Sequence, residues 1–143
     1  MSTVAQILKQ KPERAVHSIS PAASVLEAVA LMAEKNVGAL LVLEGGAVVG
    51  VITERDLARK AFTLAQPARH TPVRDLMTTQ VMYVGPGRTS EECMALMTEN
   101  RFRHLPVLDK GQLVGLVSIG DLVKDVISEQ KFIIEQLEHY IAG

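Results

Sequence analysis

The spacing of apolar residues changes several times along the first half of the chain, and each change predicts a new element. Ser24 and Glu27 form a capping-box pattern that opens a helix, whose apolar residues then recur on one face. The uninterrupted apolar run Ala39–Leu43 is typical of a strand buried on both faces, and Gly45-Gly46 predicts a hairpin turn after it. The predicted elements are an extended segment over 15–19, a helix over 24–35, a strand over 39–43, a returning strand over 47–53 and a helix over 54–62.

This β-α-β-β-α unit occurs twice. Sliding the chain by 65 positions aligns residues 19–60 with residues 84–125 without a gap. Caps, turns and apolar runs agree at this one offset, which indicates a tandem duplication. The predicted fold class is therefore α/β (α+β), built from two tandem β-α-β-β-α repeats. The identical positions include Pro21/Pro86, Glu34/Glu99, Gly46/Gly111, Gly50/Gly115 and Asp56/Asp121.

Three segments lie outside the repeats. Residues 4–9 predict a short helix that Lys11-Pro12 interrupts, and residues 63–76 are interpreted as a connector. Residues 130–141 predict a further helix with apolar residues at helical spacing from Ile133 onward. This helix either packs on its own domain, which we favour, or docks across a dimer interface. The predicted organisation is an N-terminal segment (1–14), repeat 1 (15–62), a connector (63–76), repeat 2 (77–127) and a C-terminal helix (128–143).

The junction at the end of each repeat carries the candidate chemistry. A glycine opens the last strand, a hydroxyl residue ends it, and an aspartate follows three residues later, as Thr53 with Asp56 and Ser118 with Asp121. The hydroxyl residue is expected at the helix N-cap, beside free backbone N–H groups and the carboxylate. Such a junction suits a ligand that carries a phosphate and a sugar diol. Alternatively, these residues only cap the helix and complement its dipole.

Composition narrows the classes of function. The chain has 143 residues, 48% of them apolar, a net charge of −1 and few aromatic residues, so we expect one compact domain that binds no nucleic acid. Its apolar runs are too short to span a membrane, and its first residues do not match a secretory signal. Cys93 stands alone, which fits a reducing compartment, and we expect a cytoplasmic protein.

Signals for catalysis and for metal binding are weak. The four histidines lack metal-ligand spacing, and neither glycine-rich stretch ends in the Lys-Ser/Thr of a phosphate loop. No motif relates a nucleophile to a base. We therefore expect a protein that is not an enzyme and holds no metal.

Two β-α-β-β-α repeats that each end in Gly-x-x-Ser/Thr-x-x-Asp resemble a tandem pair of cystathionine-β-synthase-type domains, a CBS pair or Bateman module. The resemblance covers residues 15–127, so the chain looks like a stand-alone pair. It implies two repeats packed with pseudo-two-fold symmetry and clefts between them that take adenosine-containing ligands. It also implies association into dimers, and a homodimer is expected.

The resemblance further implies which residues contact the ligand. The aspartate accepts hydrogen bonds from the ribose hydroxyls, and the hydroxyl residue before it faces the phosphate. The adenine lies against the short first strand and the apolar second strand, partly from the opposite repeat. For the Asp56 site this points to Thr53, Met82, Tyr83 and Val84, and for the Asp121 site to Ser118, Ser18, Ile19, Ser20, Gly38, Ala39 and Leu40.

The two sites differ in their cationic residues. The second repeat has Arg103, His104 and Pro106 where the first has small or apolar residues, and Arg55 has no cationic counterpart in the second repeat. Arg55, Arg103 and His104 are therefore candidates to bind phosphates, since an arginine holds phosphate oxygens in pairs. On this basis the Asp56 site ranks first for a charged nucleotide.

These observations favour a regulatory module that binds an adenosyl ligand and meets an unidentified partner protein. AMP is the first expectation, and ADP, ATP, NAD or S-adenosylmethionine are alternatives. The rival hypothesis is a structural dimerisation or scaffold module whose sites are degenerate.

Overall fold

A computed structural model describes residues 2–11 and 16–142. Two of the expectations above involve Pro12 and Ala15, which lie outside the described residues. The chain is a mixed α/β protein with small sheets, which confirms the predicted fold class. Its elements are α1 (Val4–Gln10), β1 (Ser18–Ile19), α2 (Val25–Lys35), β2 (Ala39–Glu44), β3 (Ala47–Thr53), α3 (Glu54–Lys60), α4 (Ser90–Asn100), β4 (His104–Asp109), β5 (Gln112–Ser118) and α5 (Ile119–Ala142).

The described residues form two compact units. The first unit comprises residues 16–81, and the second comprises residues 2–11 together with 82–142. In the first unit β1 runs parallel to β2, and β2 pairs antiparallel with β3. In the second unit β4 pairs antiparallel with β5, and Val84 forms a parallel bridge to Val107 where the first unit has its short strand β1.

Local features of the duplication recur at equivalent positions. The antiparallel register shifts after Val42 in the first unit and after Val107 in the second. The helices α2 and α4 both end in a left-handed residue, Asn36 and Arg101. Both hairpin turns have two residues with positive φ. The φ of Lys110 is 52°, close to the 58° of Gly45 at the equivalent position.

Each unit has its own core. In the first unit α2, β2 and β3 bury Ala28, Leu40 and Ile52, and in the second unit Cys93, Leu105 and Val117 take the equivalent places. Burial in apolar surroundings raises the pKa of the Cys93 thiol, as expected of a packed core residue.

Segments outside the aligned residues 19–60 and 84–125 also enter these cores. Val4 and Ile7 of α1 are buried in the second unit, although α1 precedes the first repeat. Val73 and Leu76, which were expected in a connector, are buried in the first unit. The sequence Val-x-x-Ile/Leu-Leu/Met is common to 4–8 and 73–77. This second internal similarity has an offset of 69 residues, so it does not appear at the offset of 65 residues.

The end of the chain differs from the expectation. A separate helix from about residue 130 was predicted, but α5 is continuous over 24 residues from Ile119 to Ala142, because residues 121–142 contain no glycine or proline to end it. The favoured prediction that this helix packs on its own domain is wrong, since Leu137, Tyr140 and Ile141 are exposed. Within the described part of the chain, no helix combines the length and apolar character needed to cross a bilayer.

Candidate functional site

The first junction joins β3 to α3 through a reciprocal capping box. Thr53 Oγ1 accepts a hydrogen bond from the Asp56 backbone N–H at 3.1 Å. In return, the Thr53 backbone N–H and hydroxyl both lie 3.0 Å from Asp56 Oδ2. Thr53 has an extended backbone, as an N-cap residue requires. The capping expectation for Thr53 is confirmed, and it fixes the position of the Asp56 carboxylate.

A residue that the sequence did not indicate completes this junction. Thr78 Oγ1 donates to Asp56 Oδ1 at 3.1 Å. The backbones of Thr78 and Val51 exchange two hydrogen bonds, of 2.9 and 3.0 Å, which place Thr78 beside the strand. Both carboxylate oxygens of Asp56 therefore have hydrogen-bond donors from the first unit.

The second junction joins β5 to α5 with the same local geometry. The Ser118 backbone N–H donates to Asp121 Oδ2 at 2.9 Å, and Ser118 Oγ accepts from the Asp121 N–H at 3.1 Å. The first residue of each helix is also held alike, since Ile119 N–H donates to Arg103 O at 2.9 Å and Glu54 N–H donates to Gly38 O at 3.0 Å. The two copies of the motif therefore present their carboxylates from equivalent backbones.

Lys11 distinguishes the second junction from the first. Its Nζ lies 2.9 Å from Asp121 Oδ2 and donates to Leu116 O at 2.9 Å. Lys11 directly follows α1, which packs on β5 with Leu8 against Gly115. From the sequence, Lys11 was considered only as the residue before a helix-breaking proline, because nothing local connects positions 11 and 121.

The electrostatics of Asp121 follow from these contacts. Partial burial, the largest influence, raises the pKa of the carboxyl. The hydrogen bond from the Ser118 N–H, the hydrogen bond from Lys11 and the charge of Lys11 act in the opposite direction and together lower the pKa below its ordinary value. Asp121 is therefore an ionised carboxylate with its own counter-ion.

The cationic residues proposed for phosphate binding lie in separate units. Arg55 is exposed in the first turn of α3, while Arg103 and His104 stand at the start of β4, exposed and half-buried respectively. Their convergence on one phosphate stays a prediction. Pro106 is buried within β4, where it lies opposite Leu116 of β5.

The residues expected around the adenine have different exposures. Tyr83 is exposed and Met82 is half-buried beside the core of the second unit, whereas Val84 is buried there. In the first unit Ser18 and Ser20 are exposed and Ile19 and Gly38 are half-buried, but Ala39 and Leu40 are buried. Leu40 belongs to the core of its unit, which leaves it no surface for a ligand in this conformation.

The described residues contain no cluster of three or more His, Cys, Asp or Glu side chains that could hold a metal ion. The arrangement at each junction is a carboxylate and a hydroxyl held at a helix N-terminus. Such groups can accept hydrogen bonds from a diol and donate to an anion.

Comparison with known proteins gives the family. The model of the CBS domain matches residues 4–62 and 73–128, and the chain belongs to the CBS-domain family. The two matches begin at the two Val-x-x-Ile/Leu segments described above. They confirm a tandem pair.

Three similar proteins cover most of this chain. The Arabidopsis thaliana "CBS domain-containing protein CBSX3, mitochondrial" is 37% identical over 150 residues, covering 99% of this chain and 73% of that protein. The crystal structure of the CBS domain NE2398 is 51% identical with a TM-score of 0.84, covering 88% of this chain and 98% of that one. The crystal structure of CBSX2 in complex with AMP is 30% identical with a TM-score of 0.75, covering 91% of this chain and 99% of that one.

Proposed function

We propose that this chain is a non-catalytic regulatory module that binds an adenosyl ligand at its strand-to-helix junctions. The observation that carries the proposal is the pair of junctions, in which a capping box holds an aspartate carboxylate beside a hydroxyl and a helix N-terminus. An ionised carboxylate that accepts hydrogen bonds from a ribose diol contributes about 1.5–3 kcal/mol per bond. CBSX2, a relative of similar fold, binds AMP.

AMP is the ligand we propose first, with ADP, ATP, NAD and S-adenosylmethionine as alternatives. We propose the Asp56 site as the stronger one. Among the described residues Thr53 and Thr78 give Asp56 hydrogen bonds from neutral donors, so a ribose diol would compete with neutral groups at this carboxylate. Asp121 already has Lys11 as a counter-ion, which a diol must compete with. Arg55, next to Asp56, is proposed to bind a phosphate.

The test is a thermal-shift series with AMP on refolded, nucleotide-free protein. A ligand at about 100 times its Kd adds about 2.7 kcal/mol of stability, which raises the Tm of a chain of this length by several degrees. We expect the parent to show this shift and Asp56→Asn to lose most of it. Asp121→Asn should retain more of the shift than Asp56→Asn.

A matched control separates a ligand contact from a helix cap. Thr89 and Glu92 form the same reciprocal capping box at the start of α4, far along the chain from either motif. Glu92→Gln should therefore lower the Tm of the free protein without changing the AMP-induced shift. An equal loss of the shift in Glu92→Gln and Asp56→Asn would count against a ligand role for Asp56.

The rival function is a scaffold whose junctions serve only as caps. The contacts of Thr78 and Lys11 with the two aspartates favour it, because they satisfy the carboxylates without a ligand. This rival predicts no thermal shift with AMP or with the other four adenosyl compounds.

Catalysis ranks third among the functions considered. Turnover of ATP or NAD by the parent, and not by Asp56→Asn, would establish it.

We also propose a homodimer and a cytoplasmic location. The exposed apolar face of α5 supports self-association, and light scattering on protein eluting from a size-exclusion column tests it directly.

The single buried thiol supports a reducing compartment such as the cytoplasm, whereas the similar plant protein is mitochondrial by name. Fractionation of the source cells with an antibody to the chain would decide the location.

A further inference from the structure

From Val123 onward, α5 carries an apolar stripe that the rest of the described chain leaves uncovered. Its members recur at alternating intervals of four and three residues, interrupted by one glutamine, the spacing of a coiled-coil seam. The apolar members are between 46% and 82% exposed. In order along the seam, the positions are Val123, Ile127, Gln130, Ile134, Leu137 and Ile141.

The opposite side of α5 attaches the helix to its own unit. Leu122 and Asp125 are buried there, and Glu129 Oε1 accepts a hydrogen bond from Ser2 Oγ at 3.0 Å. At 100° per residue, these three positions point away from the seam. The helix can therefore stay attached through one face and present the seam to another molecule.

The residues that flank the seam indicate what that molecule is. On one flank the side chains are Val126, Ile133 and Tyr140, and on the other they are Lys124, Lys131 and Glu138. In a parallel pair of identical helices, each apolar flank would lie beside a charged flank. In an antiparallel pair, the apolar flank meets the apolar flank and the charged flank meets the charged flank. Antiparallel self-pairing thus buries Ile133 and Tyr140 and leaves the charges in water.

We propose that the seam of α5 pairs antiparallel with the same seam in a second copy of this chain. The proposal deepens the homodimer proposed above and rests on it. The seam fixes one register, in which Ile127 packs on the partner's Leu137 and Val123 packs on the partner's Ile141. In this register Lys124 comes beside the partner's Glu138, so the charged flank gains an opposite-charge pair at each end.

Two polar residues limit the stability of the pair. Gln130 faces the partner's Ile134 in the two central layers, and the two copies of Lys131 meet near the two-fold axis. A polar seam residue fixes register at a cost in stability, so Gln130→Leu should tighten the dimer. Phe132 is also exposed, but it lies on the side of Leu122 and Asp125 and the pairing does not account for it.

The first experiment changes the seam and compares a matched change off the seam. Leu137 and Phe132 are exposed to a similar degree, 56% and 61%, so a charge at either position should leave the fold intact. Leu137→Glu should raise the dimer Kd at least about a hundredfold, because pairing would desolvate two carboxylates. Phe132→Glu should leave the Kd unchanged. Analytical ultracentrifugation over a range of protein concentrations measures both.

The second experiment determines the orientation. In a Cys93→Ala background, Gln130→Cys chains are mixed with Ile134→Cys chains that carry a purification tag, and the mixture is oxidised. An antiparallel seam places position 130 opposite the partner's 134, so the disulfide should form between the two kinds of chain. A parallel seam would instead oxidise each variant with itself.

The outcomes separate this proposal from those it rests on. A parent dimer that Leu137→Glu leaves intact would overturn the pairing of α5 and retain the homodimer. Homotypic disulfides would overturn the antiparallel orientation. A parent that sediments as a monomer at all concentrations would overturn both the pairing and the homodimer, and would leave the AMP result unaffected.

Discussion

The two strand-to-helix junctions have the same backbone geometry and different partners. In both, an aspartate and a hydroxyl residue cap each other across three residues. The Asp56 carboxylate then accepts a hydrogen bond from the neutral hydroxyl of Thr78, whereas the Asp121 carboxylate has an ion pair with Lys11. The duplicated sequence determines the geometry that the two junctions share, and segments outside the aligned residues 19–60 and 84–125 supply the partners that differ.

This difference shows that equal motifs do not make equal sites. Capping depends on residues three apart and was duplicated with the repeat. The charge around each carboxylate depends on a distant segment, residues 77–78 for one junction and residues 8–11 for the other. Ligand preference at the two sites is therefore expected to follow these segments.

The largest expected effect comes from Gly50, which lies in the middle of β3. A Cβ on Gly50 would lie 2.7 Å from Met77 Sδ and 3.0 Å from the backbone oxygen of Thr78. That oxygen is held in a hydrogen bond to Val51, so the strand itself must move. Gly50→Ala should therefore lower the free energy of unfolding by about 2–3 kcal/mol, which urea denaturation measures.

The equivalent glycine is the control. A Cβ on Gly115 would lie 2.8 and 2.9 Å from the two methyl groups of Leu8, which are the end of a flexible side chain. Gly115→Ala should therefore cost less than about 1 kcal/mol, since a rotamer change relieves the contact. Equal costs at both positions would mean that the two packing segments are equally rigid, against the comparison above.

The second prediction concerns the removal of the distant partner of each carboxylate, Lys11 for Asp121 and Thr78 for Asp56. Lys11→Met should lower the free energy of unfolding by about 1–2 kcal/mol, because it leaves a partly buried carboxylate without its counter-ion. Thr78→Val removes one hydrogen bond from a neutral donor to the Asp56 carboxylate. That carboxylate is partly exposed to water and keeps its Thr53 contacts, so the change should cost about 0.5–1.5 kcal/mol. Binding of AMP gives a second test. Lys11→Met should increase the part of the AMP-induced thermal shift that depends on Asp121.

A result in which Thr78→Val costs clearly more than Lys11→Met would reverse this ordering. Arg88→Ala is a control for the loss of an ion pair, because Arg88 and Glu92 form an exposed pair at the N-terminal end of α4. Such pairs contribute about 0–1 kcal/mol. Arg88→Ala should therefore have a smaller effect than Lys11→Met.

The sequence predicted what local rules determine. Gly45-Gly46 marks a turn, the pattern of Ser24 with Glu27 marks a helix start, and the run from Ala39 marks a buried strand, because each depends on residues within a few positions. Thr53 and Asp56 could be predicted for the same reason. All of these elements are present at equivalent places in both units.

The partners of the aspartates could not be predicted in this way. Thr78 is 22 residues from Asp56, and Lys11 is 110 residues from Asp121, so only tertiary packing brings them together. A search for internal similarity at more than one offset would have found Val4-x-x-Ile7-Leu8 and Val73-x-x-Leu76-Met77. These segments place α1 and residues 73–78 against the two strands, and with them Lys11 and Thr78.

The smallest expected effect is the pH dependence that Asp121 contributes. Its pKa in the folded protein is lowered, so Asp121 stabilises the fold at pH values above its unfolded pKa of about 3.9. That contribution is lost as the pH falls through the folded pKa. Asp121→Asn has no such titration, so the stability difference between the parent and this variant should shrink as the pH is lowered from 6 toward about 3.

Lys11→Met provides the sharper form of this test. Without Lys11, burial still raises the pKa of Asp121 and only the Ser118 contacts oppose it, so the folded pKa should move upward. The acid-dependent loss of stability due to Asp121 should then become weaker than in the parent, although the variant is less stable at neutral pH. Urea denaturation at a series of pH values measures how the free energy of unfolding changes with pH in the parent, in Lys11→Met and in Asp121→Asn. If the free energy of unfolding falls equally with acid pH in the parent and in Lys11→Met, Lys11 does not set the charge state of Asp121. The two junctions would then differ in packing alone.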